Sequence, residues 1–314
     1  MLSLLTSPLF RRHDTGSGHP ESSDRISSAL AGIDRAGLSA NVRDDLARHP
    51  ETLRIIRKVH DPEYERKFDD ACRRGGRLFH SLDNPISNGS HTAASEAVSL
   101  ALHAADEIWR THSADRAFIV ARPPGHHAER ASAMGFCFFN TIACAAEYLL
   151  ERPEVARVLI FDFDVHHGNG TQHLFESRDD VLYSSIHRFP FYPGTGAGNE
   201  IGTGRGTGFT RNIPLEQGSG DSVYLRSLEE SLLPLIEDYR PDAILLSSGF
   251  DAHSRDPLGG MRLTESGFGE ITRRLVEVAG TSCDGRILSL LEGGYDREGL
   301  ASSVAEHVIA LSGG

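Results

Sequence analysis

Short apolar runs alternate with longer amphipathic segments over most of the chain. Five runs are short, apolar and followed by glycine, proline, histidine or acidic residues, which predicts buried strands at 117–121, 158–162, 181–187, 243–248 and 287–291. Segments with helix-like patterns lie between or after these runs, near 92–111, 137–150, 221–238, 264–279 and 298–312. Strands that alternate with helices predict a mainly parallel sheet.

The longest stretch without a periodic pattern is the glycine-rich region 194–208, which follows aromatic and proline residues at 189–193. A long loop inside a compact domain is often functional. We expect a single domain over residues 1–314, with its long loops gathered above the sheet. The segment 221–238 has an apolar stripe that should face the core, formed by Val223, Leu228, Leu232, Leu235 and Ile236.

Composition narrows the possible classes of protein. The 314 residues, 39% of them hydrophobic, suffice for one large α/β domain or two smaller ones. A net charge of -12 disfavours direct binding to nucleic acid. No apolar run reaches membrane-spanning length, and Arg11 and Arg12 follow the first apolar residues, the reverse of a secretory signal. The four cysteines are scattered, which favours a reduced, cytoplasmic setting.

Acidic residues and histidines follow the strand predicted at 158–162. Asp162, Asp164 and His166 occupy alternate positions, so they share a face if the extended path continues. Carboxylate oxygens and imidazole nitrogens are ligands for divalent metals. The carboxyl end of a parallel strand is also where such folds place their sites. The same residues could instead cap a turn, so this segment alone leaves both interpretations open.

Two further strand ends favour the metal interpretation. Asp251 follows the strand at 243–248 and, with Asp164 and His166, would form a three-ligand set with positions left for water and substrate. His126 and His127 follow the strand at 117–121 in a Gly/Pro loop. They are either exposed loop residues or, beside a metal, a proton acceptor and its acid partner.

Tyr295 follows two glycines after the strand at 287–291. Its ring could simply pack against the loop. If it faces the metal, its hydroxyl can donate a hydrogen bond to an oxyanion that develops on a carbonyl substrate.

Seven segments in this order carry a family resemblance: HDTGSGHPE at 13–21, RPPGHHA at 122–128, GFCFFN at 135–140, FDFDVHHGNGTQ at 161–172, FPFYPGTG at 189–196, GFDAH at 249–253 with DPLGG at 256–260, and LEGGYD at 291–296. The chain resembles zinc-dependent deacetylases of the histone deacetylase and acetylpolyamine amidohydrolase superfamily. At the positions of Asn169 and Glu292 the chain resembles the class II branch of this superfamily and not class I.

The resemblance implies an arginase/deacetylase-like three-layer α/β/α fold around a mainly parallel sheet of about eight strands. It also implies roles for the residues above. The metal ligands would be Asp164, His166 and Asp251; the catalytic residues would be His126, His127 and Tyr295. Asp162 matches the buried acid that orients His126. The amide of Asn169 stands behind His127 and cannot stabilise imidazolium as a carboxylate does, which favours His127 as the general base.

The resemblance assigns further positions around the substrate. Phe136 and Tyr192 match the aromatics of an acyl-lysine tunnel, with Gly135 and Gly294 as nearby backbone positions. Asp83 matches a rim acid that contacts the substrate backbone. Arg25 matches an arginine below the site, although Ser22-Ser23-Asp24 replaces the usual Arg-Pro sequence. A structural K⁺ or Na⁺ would be held by Asp162, Asp164, His166, Ser185 and Ile186.

The predicted function is that of a metal-dependent amidohydrolase, which removes an acyl group from acyl-lysine in a peptide or protein. We expect this acyl group to be acetyl. Acetylpolyamines or other small acylated amines are the alternative substrates. A two-manganese arginase type would need an Asp-x-Asp-x-x-Asp run, which is absent. A catalytically silent binding module would lack a ligand, a histidine or the tyrosine. The predicted metal is Zn²⁺, although these ligands also accept Fe²⁺; the oligomeric state stays open.

Overall fold

A computed structural model describes residues 1–313 of the chain. It contains ten strands: β1 (Leu2–Leu5), β2 (Val42–Arg43), β3 (Leu78–Phe79), β4 (Ser81–Pro85), β5 (Arg116–Ile119), β6 (Val158–Asp162), β7 (Val181–Arg188), β8 (Thr210–Leu215), β9 (Ala243–Ser248) and β10 (Ile287–Leu291). Eight of them form one sheet in the order β2-β1-β5-β10-β9-β6-β7-β8, while β3 and β4 form a separate antiparallel hairpin. Every pairing in the large sheet is parallel.

The α-helices are α1 (Asp24–Arg35), α2 (Thr52–Val59), α3 (Pro62–Arg73), α4 (Ser90–Trp109), α5 (Thr141–Leu149), α6 (Asn169–Phe175), α7 (Asp221–Ser227), α8 (Leu233–Tyr239), α9 (Glu265–Ser282) and α10 (Arg297–Ser312). They form two sets: α4 packs with α2 and α5, whereas α10 packs with α1 and α9. The central strands β6, β9 and β10 are buried at every residue, so both faces of the sheet are covered. The predicted three-layer α/β/α fold is confirmed.

The register aligns the carboxyl ends of four neighbouring strands. Ile119 of β5 pairs with Leu290 of β10, which pairs with Ser247 of β9, which in turn pairs with Asp162 of β6. The loops that leave these strands therefore start at one level of one sheet edge. This alignment places the residues of four separate sequence segments above the same part of the core.

Three predicted strands have the observed bounds: 158–162, 243–248 and 287–291. Strand β5 begins and ends earlier than predicted, and β7 continues one residue further. The sequence pattern missed the outer strands β1, β2 and β8. Strand β8 carries polar residues and Pro214 within its span, which an edge strand tolerates because one side needs no hydrogen-bond partner.

The helix predicted at 221–238 is interrupted in its middle. A π-helical turn, Leu228–Leu232, separates α7 from α8. Pro234 lies just after this turn, and because proline has no N–H it cannot continue the regular hydrogen-bond ladder there. Leu228, Leu232 and Ile236 are buried as expected, whereas the prediction that Val223 faces the core is wrong, since this side chain is exposed.

Among residues 1–313, none of the helices combines the length and apolar character needed to cross a bilayer. The four cysteines are all free and buried.

Candidate active site

The aligned strand ends bring the predicted residues together. The loop after β5 carries His126 and His127, the loop after β6 carries Asp164 and His166, and Asp251 follows β9. Asp164, Asp251 and both histidines of the pair are almost fully shielded from solvent. His166 is largely shielded. The loop after β10 adds Tyr295 to the same edge.

Asp164, His166 and Asp251 form a compact donor set, which we call the cradle. The His166 Nδ1 atom lies 3.0 Å from Asp164 Oδ1 and 3.1 Å from Asp251 Oδ2. The contact with Asp251 lacks the direction of a hydrogen bond, so the buried Oδ2 atom of Asp251 has no hydrogen-bond partner. A buried carboxylate oxygen without a partner is costly unless a cation completes its surroundings.

Backbone amides hold the remaining carboxylate oxygens of the cradle. The Gly293 amide donates to Asp164 Oδ2 at 2.8 Å, and the Val165 amide donates to Asp251 Oδ1 at 2.9 Å. A Cβ atom at position 293 would collide with both carboxylates, and one at Gly249 would collide with Asp164. The neighbouring glycines therefore leave the space between the ligand atoms open. Two carboxylates and one imidazole with fixed orientation fit a divalent cation such as Zn²⁺.

The charges of the cradle are unevenly matched. Burial and the neighbouring charge of Asp164 raise the pKa of Asp251 to about 7. Burial also acts to raise the pKa of Asp164, but the positive charges of His126 and His166 outweigh it and hold that pKa far below its ordinary value. The two acids thus compete for the positive charge of their surroundings. A bound divalent cation would relieve this competition.

The two histidines of the pair have different partners. The His126 Nδ1 atom lies 3.0 Å from Asp162 Oδ2, while the His127 Nδ1 atom lies 2.7 Å from the amide oxygen of Asn169. Burial acts to lower the pKa of His126, but Asp162 and Asp164 raise it to about 10. Burial and the positive charges of neighbouring histidines hold the pKa of His127 well below its usual value. His127 is therefore the easier of the two to keep neutral.

Tyr295 is held from below and from its backbone. The guanidinium of Arg25 lies 5.0 Å from the centre of its ring, and Arg25 Nε donates to the carbonyl of Gly294 at 2.7 Å. The Tyr295 amide donates to Asp256 Oδ2 at 2.7 Å. These contacts direct the tyrosine toward the pocket without using its hydroxyl.

A cavity of about 190 Å³ leads to the cradle. It is lined by Asp83, His127, Gly135, Phe136, His166, Tyr192, Leu258 and Tyr295. Of the predicted tunnel residues, Gly294 is the one that does not line the cavity; it instead contributes the carbonyl that holds Arg25. Asp83 Oδ2 accepts hydrogen bonds from the Gly135 amide at 3.0 Å and from the Tyr192 hydroxyl at 3.3 Å. Asp83 thereby connects two walls of the cavity.

The backbone at Gly135 and Phe136 has an unusual conformation. Both residues have positive φ angles, 57° and 68°. The side-chain oxygen of Asn84 accepts a hydrogen bond from the Phe136 amide at 2.9 Å and so stabilises this conformation. A Cβ atom at position 135 would collide with the ring of His127. The glycine is therefore needed to let the Phe136 loop approach the histidine pair.

The structure brings together part of the predicted monovalent-cation site. Asp162 and Ser185 are paired across β6 and β7, with Ile186 next along β7. The Ser185 hydroxyl contacts His187 Nδ1 at 2.8 Å. The cation itself stays a prediction. The ring nitrogens of His167 are occupied by Thr195 and Gln172, so this histidine has a structural role and does not face the cradle.

Several residues of the site were not assigned from the sequence. Phe191 stacks on His166 with ring centres 5.2 Å apart, and Leu258 lines the cavity. The carboxylate of Glu292 accepts hydrogen bonds from the amides of Gly125 and His126 and so orders the loop of the histidine pair. Each of these residues lies inside a segment that resembles the family, so the sequence pointed to the right segments. The spacing of residues within a segment does not reveal which side chains make contacts in the folded protein.

The chain is similar to known proteins over most of its length. The model of the histone deacetylase domain matches residues 19–311. A probable deacetylase of Archaeoglobus fulgidus is 36% identical over 306 residues, which are 97% of this chain and 84% of that protein. A histone deacetylase-like amidohydrolase of Pseudomonas aeruginosa is 38% identical over 281 residues, 88% of this chain and 73% of that protein.

The fold has a similar counterpart among solved structures. The crystal structure of the HDA15 HD domain superposes with a TM-score of 0.91 at 33% identity, over 99% of this chain and 89% of that chain. Sequence and structure agree over nearly the full length of the chain. The chain therefore belongs to the histone deacetylase family.

Proposed function

We propose that this protein is a zinc-dependent deacetylase that removes an acetyl group from acetyl-lysine side chains of peptides or proteins. The observation that carries the proposal is the cavity of about 190 Å³ that ends at the cradle and is flanked by aromatic rings. Phe136 and Tyr192 can bury an aliphatic lysine stem while the amide reaches the cradle. We also propose that the chain acts as one catalytic domain, since helices α1 and α10, near its two ends, pack together.

Asp164, His166 and Asp251 would hold the metal ion, which supplies a Lewis acid for the acyl carbonyl and the attacking water. His127 accepts a proton from that water at Nε2, since its Nδ1 atom is occupied by Asn169. Tyr295 donates a hydrogen bond from its hydroxyl to the oxygen of the tetrahedral intermediate. A protonated histidine of the pair then gives a proton to the leaving amine. If the protonated histidine is His126, the carboxylate of Asp162 stabilises its positive charge. The products are acetate and a free amine.

A second class of substrate is favoured by one residue. Asp83 is the acidic residue of the cavity lining outside the cradle, and a carboxylate there can attract the cationic chain of an acetylated polyamine. However, its Oδ2 atom already accepts two hydrogen bonds from the cavity walls. Leu258, partly exposed in the same lining, offers an apolar contact. Acetyl-lysine is therefore the preferred substrate, with acetylpolyamines second.

The test is a side-by-side assay of the zinc-loaded protein on acetyl-lysine peptides and on N-acetylated polyamines, with acetate release as the readout. We expect faster hydrolysis of the peptides. Faster hydrolysis of the polyamines would replace the preferred substrate by the second one. Hydrolysis of neither would leave the silent binding module as the interpretation. Parallel loading with Fe²⁺ under anaerobic conditions would show which metal supports turnover.

The matched variant for this assay is Tyr295→Phe, which removes the hydroxyl and keeps the ring on Arg25. We expect turnover to fall by about 10²–10³-fold, the usual cost of losing one oxyanion donor, while the zinc content stays at the wild-type level. Near-normal turnover of this variant would remove Tyr295 from the mechanism.

A further inference from the structure

The amide of Asn169 is held on both sides, by His127 toward the cavity and by Glu129 away from it. Asn169 Oδ1 lies 2.7 Å from His127 Nδ1, and Asn169 Nδ2 donates to Glu129 Oε1 at 2.5 Å. We propose that Glu129 is a positioning residue, which fixes the orientation of the Asn169 amide and thereby the tautomer of His127. This inference rests on the proposed role of His127 as proton acceptor.

The argument follows from which atoms can donate. A carboxylate only accepts hydrogen bonds, so the side of the Asn169 amide that faces Glu129 must be its NH₂ group. The amide oxygen then faces His127, and because this oxygen also only accepts, His127 Nδ1 must carry the hydrogen. In the neutral ring, Nε2 is left with a free lone pair. This is the tautomer that a proton acceptor at Nε2 requires.

Without Glu129, little would hold the amide in this orientation. The other acceptors near Asn169 Nδ2 are the sulfur of Met134 at 3.2 Å and the carbonyl of His127 at 3.5 Å. A thioether is a weak acceptor, and the carbonyl is at the limit of hydrogen-bond distance. A flipped amide would offer its NH₂ group to His127 Nδ1 and favour the opposite tautomer, in which Nε2 carries the hydrogen and cannot accept a proton.

Glu129 is itself held in place by contacts with three other residues. His173 Nδ1 lies 2.8 Å from the same Oε1 atom, and Asn169 and His173 are four residues apart on α6, so they share one face of that helix. The Glu129 amide donates to the carbonyl of Ser132 at 2.9 Å, and its carbonyl contacts His60 Nδ1 at 2.9 Å. Glu129 does not line the cavity, so it acts through Asn169 and not on the substrate.

The test compares Glu129→Leu with Glu129→Gln in the zinc-loaded protein. Leucine cannot accept a hydrogen bond, whereas the glutamine oxygen can. For Glu129→Leu we expect kcat to fall by about 10–100-fold, the usual cost of losing an outer partner, with KM and zinc content unchanged. Glu129→Gln should recover most of the loss. Glu154→Leu, an exposed glutamate before β6 at the opposite edge of the sheet, is the control and should behave as wild type.

A second measurement does not depend on turnover. Nitrogen NMR of the His127 ring should show the hydrogen on Nδ1 in the wild type and a shift toward the Nε2-hydrogen tautomer in Glu129→Leu. A Glu129→Leu protein with wild-type kcat, or one with lowered kcat and an unchanged His127 tautomer, would overturn the proposal. If the wild type hydrolyses no substrate, the proposed function fails, while the NMR comparison still decides whether Glu129 controls the tautomer.

Discussion

Two buried groups of charged side chains both contact the loop 292–294, and they are built differently. The cradle combines two carboxylates with one histidine. The second group, which we call the arginine cluster, combines Glu21 with Arg25 and Arg122. Arg122 donates to both carboxylate oxygens of Glu21 at 2.7 and 2.8 Å, and Arg25 adds a contact at 3.1 Å. The residues of both groups are almost completely shielded from water, apart from His166, whose side chain is 13% exposed.

In the arginine cluster every charged group has hydrogen-bond partners within the protein, whereas in the cradle one carboxylate oxygen has none. The guanidinium nitrogens that do not contact Glu21 donate to backbone carbonyls, including those of Phe10 and Gly294. In the cradle, Asp251 Oδ2 has no hydrogen-bond partner, and the pKa of Asp251 is raised to about 7. Burial alone therefore does not distinguish a structural group from a site. A buried charged atom that lacks a hydrogen-bond partner, such as Asp251 Oδ2, does.

The largest expected effect is on the cradle. Asp251→Asn removes one anionic ligand, and we expect zinc to be lost and turnover to fall by more than about 10⁴-fold, as when a member of a catalytic constellation is removed. Metal analysis and acetate release measure the two effects. Asp179→Asn, an exposed acid paired with Arg205, serves as the matched control and should keep both zinc and activity. A fully metallated, active Asp251→Asn protein would remove Asp251 from the ligand set.

The next effect belongs to the arginine cluster. Glu21→Gln leaves buried guanidinium charge without its carboxylate, which should lower the free energy of unfolding by about 3–5 kcal/mol. Asp179→Asn breaks an exposed pair and should cost only about 0–1 kcal/mol. Urea unfolding of the metal-free proteins measures both. Metal-free Asp251→Asn should not show the large loss, because it removes one of two competing charges. Equal losses for Glu21→Gln and Asp251→Asn would show that the two buried groups do not differ in this way.

Adding metal should stabilise the wild type by mass action. At a free Zn²⁺ concentration 100 times the dissociation constant, the expected gain in unfolding free energy is about 2.7 kcal/mol. Glu21→Gln should gain as much as wild type if its cradle is intact, while Asp251→Asn should gain little. Unfolding curves recorded over a Zn²⁺ titration test this. A wild type that gains nothing would show that the cradle does not hold zinc.

The smallest effect is the pH dependence of the arginine cluster. Burial acts to raise the pKa of Glu21, but the charge of Arg122, its hydrogen bonds and the contact with His13 together outweigh burial and hold that pKa well below its usual 4.5. In the unfolded chain Glu21 takes up a proton as the pH falls through about 4.5, whereas in the folded protein it does not. The stabilisation by this pair is therefore present above pH 4.5 and declines below it by about 1.4 kcal/mol per pH unit.

Glu21→Gln has no carboxylate to protonate, so its free energy of unfolding should fall less steeply with decreasing pH than that of the wild type. The two slopes should differ by about 1.4 kcal/mol per pH unit. Urea unfolding at several pH values below 5 gives the comparison. Parallel slopes for the two proteins would show that Glu21 is protonated equally in the folded and unfolded states.

The central strands were predictable because each is an apolar run that ends in residues unsuited to a strand. The runs at 158–162 and 287–291 have the observed bounds for this reason. The outer strands were not predictable from the same signal. Strand β8, for example, buries the polar residues Thr210 and Asn212 and contains Pro214, so it lacks an uninterrupted apolar run and its sequence resembles that of a loop.

The sequence by itself determined the family, the central strands and the candidate residues, because these depend on residue types within short segments. Only the tertiary structure decided which residues meet. Glu129 contacts Asn169, Glu21 contacts Arg122, and Asp251 Oδ2 is left without a hydrogen-bond partner. These outcomes depend on the parallel register that brings distant loops to one sheet edge. They depend equally on burial, which makes the charge balance of each group decisive because water is no longer there to compensate it.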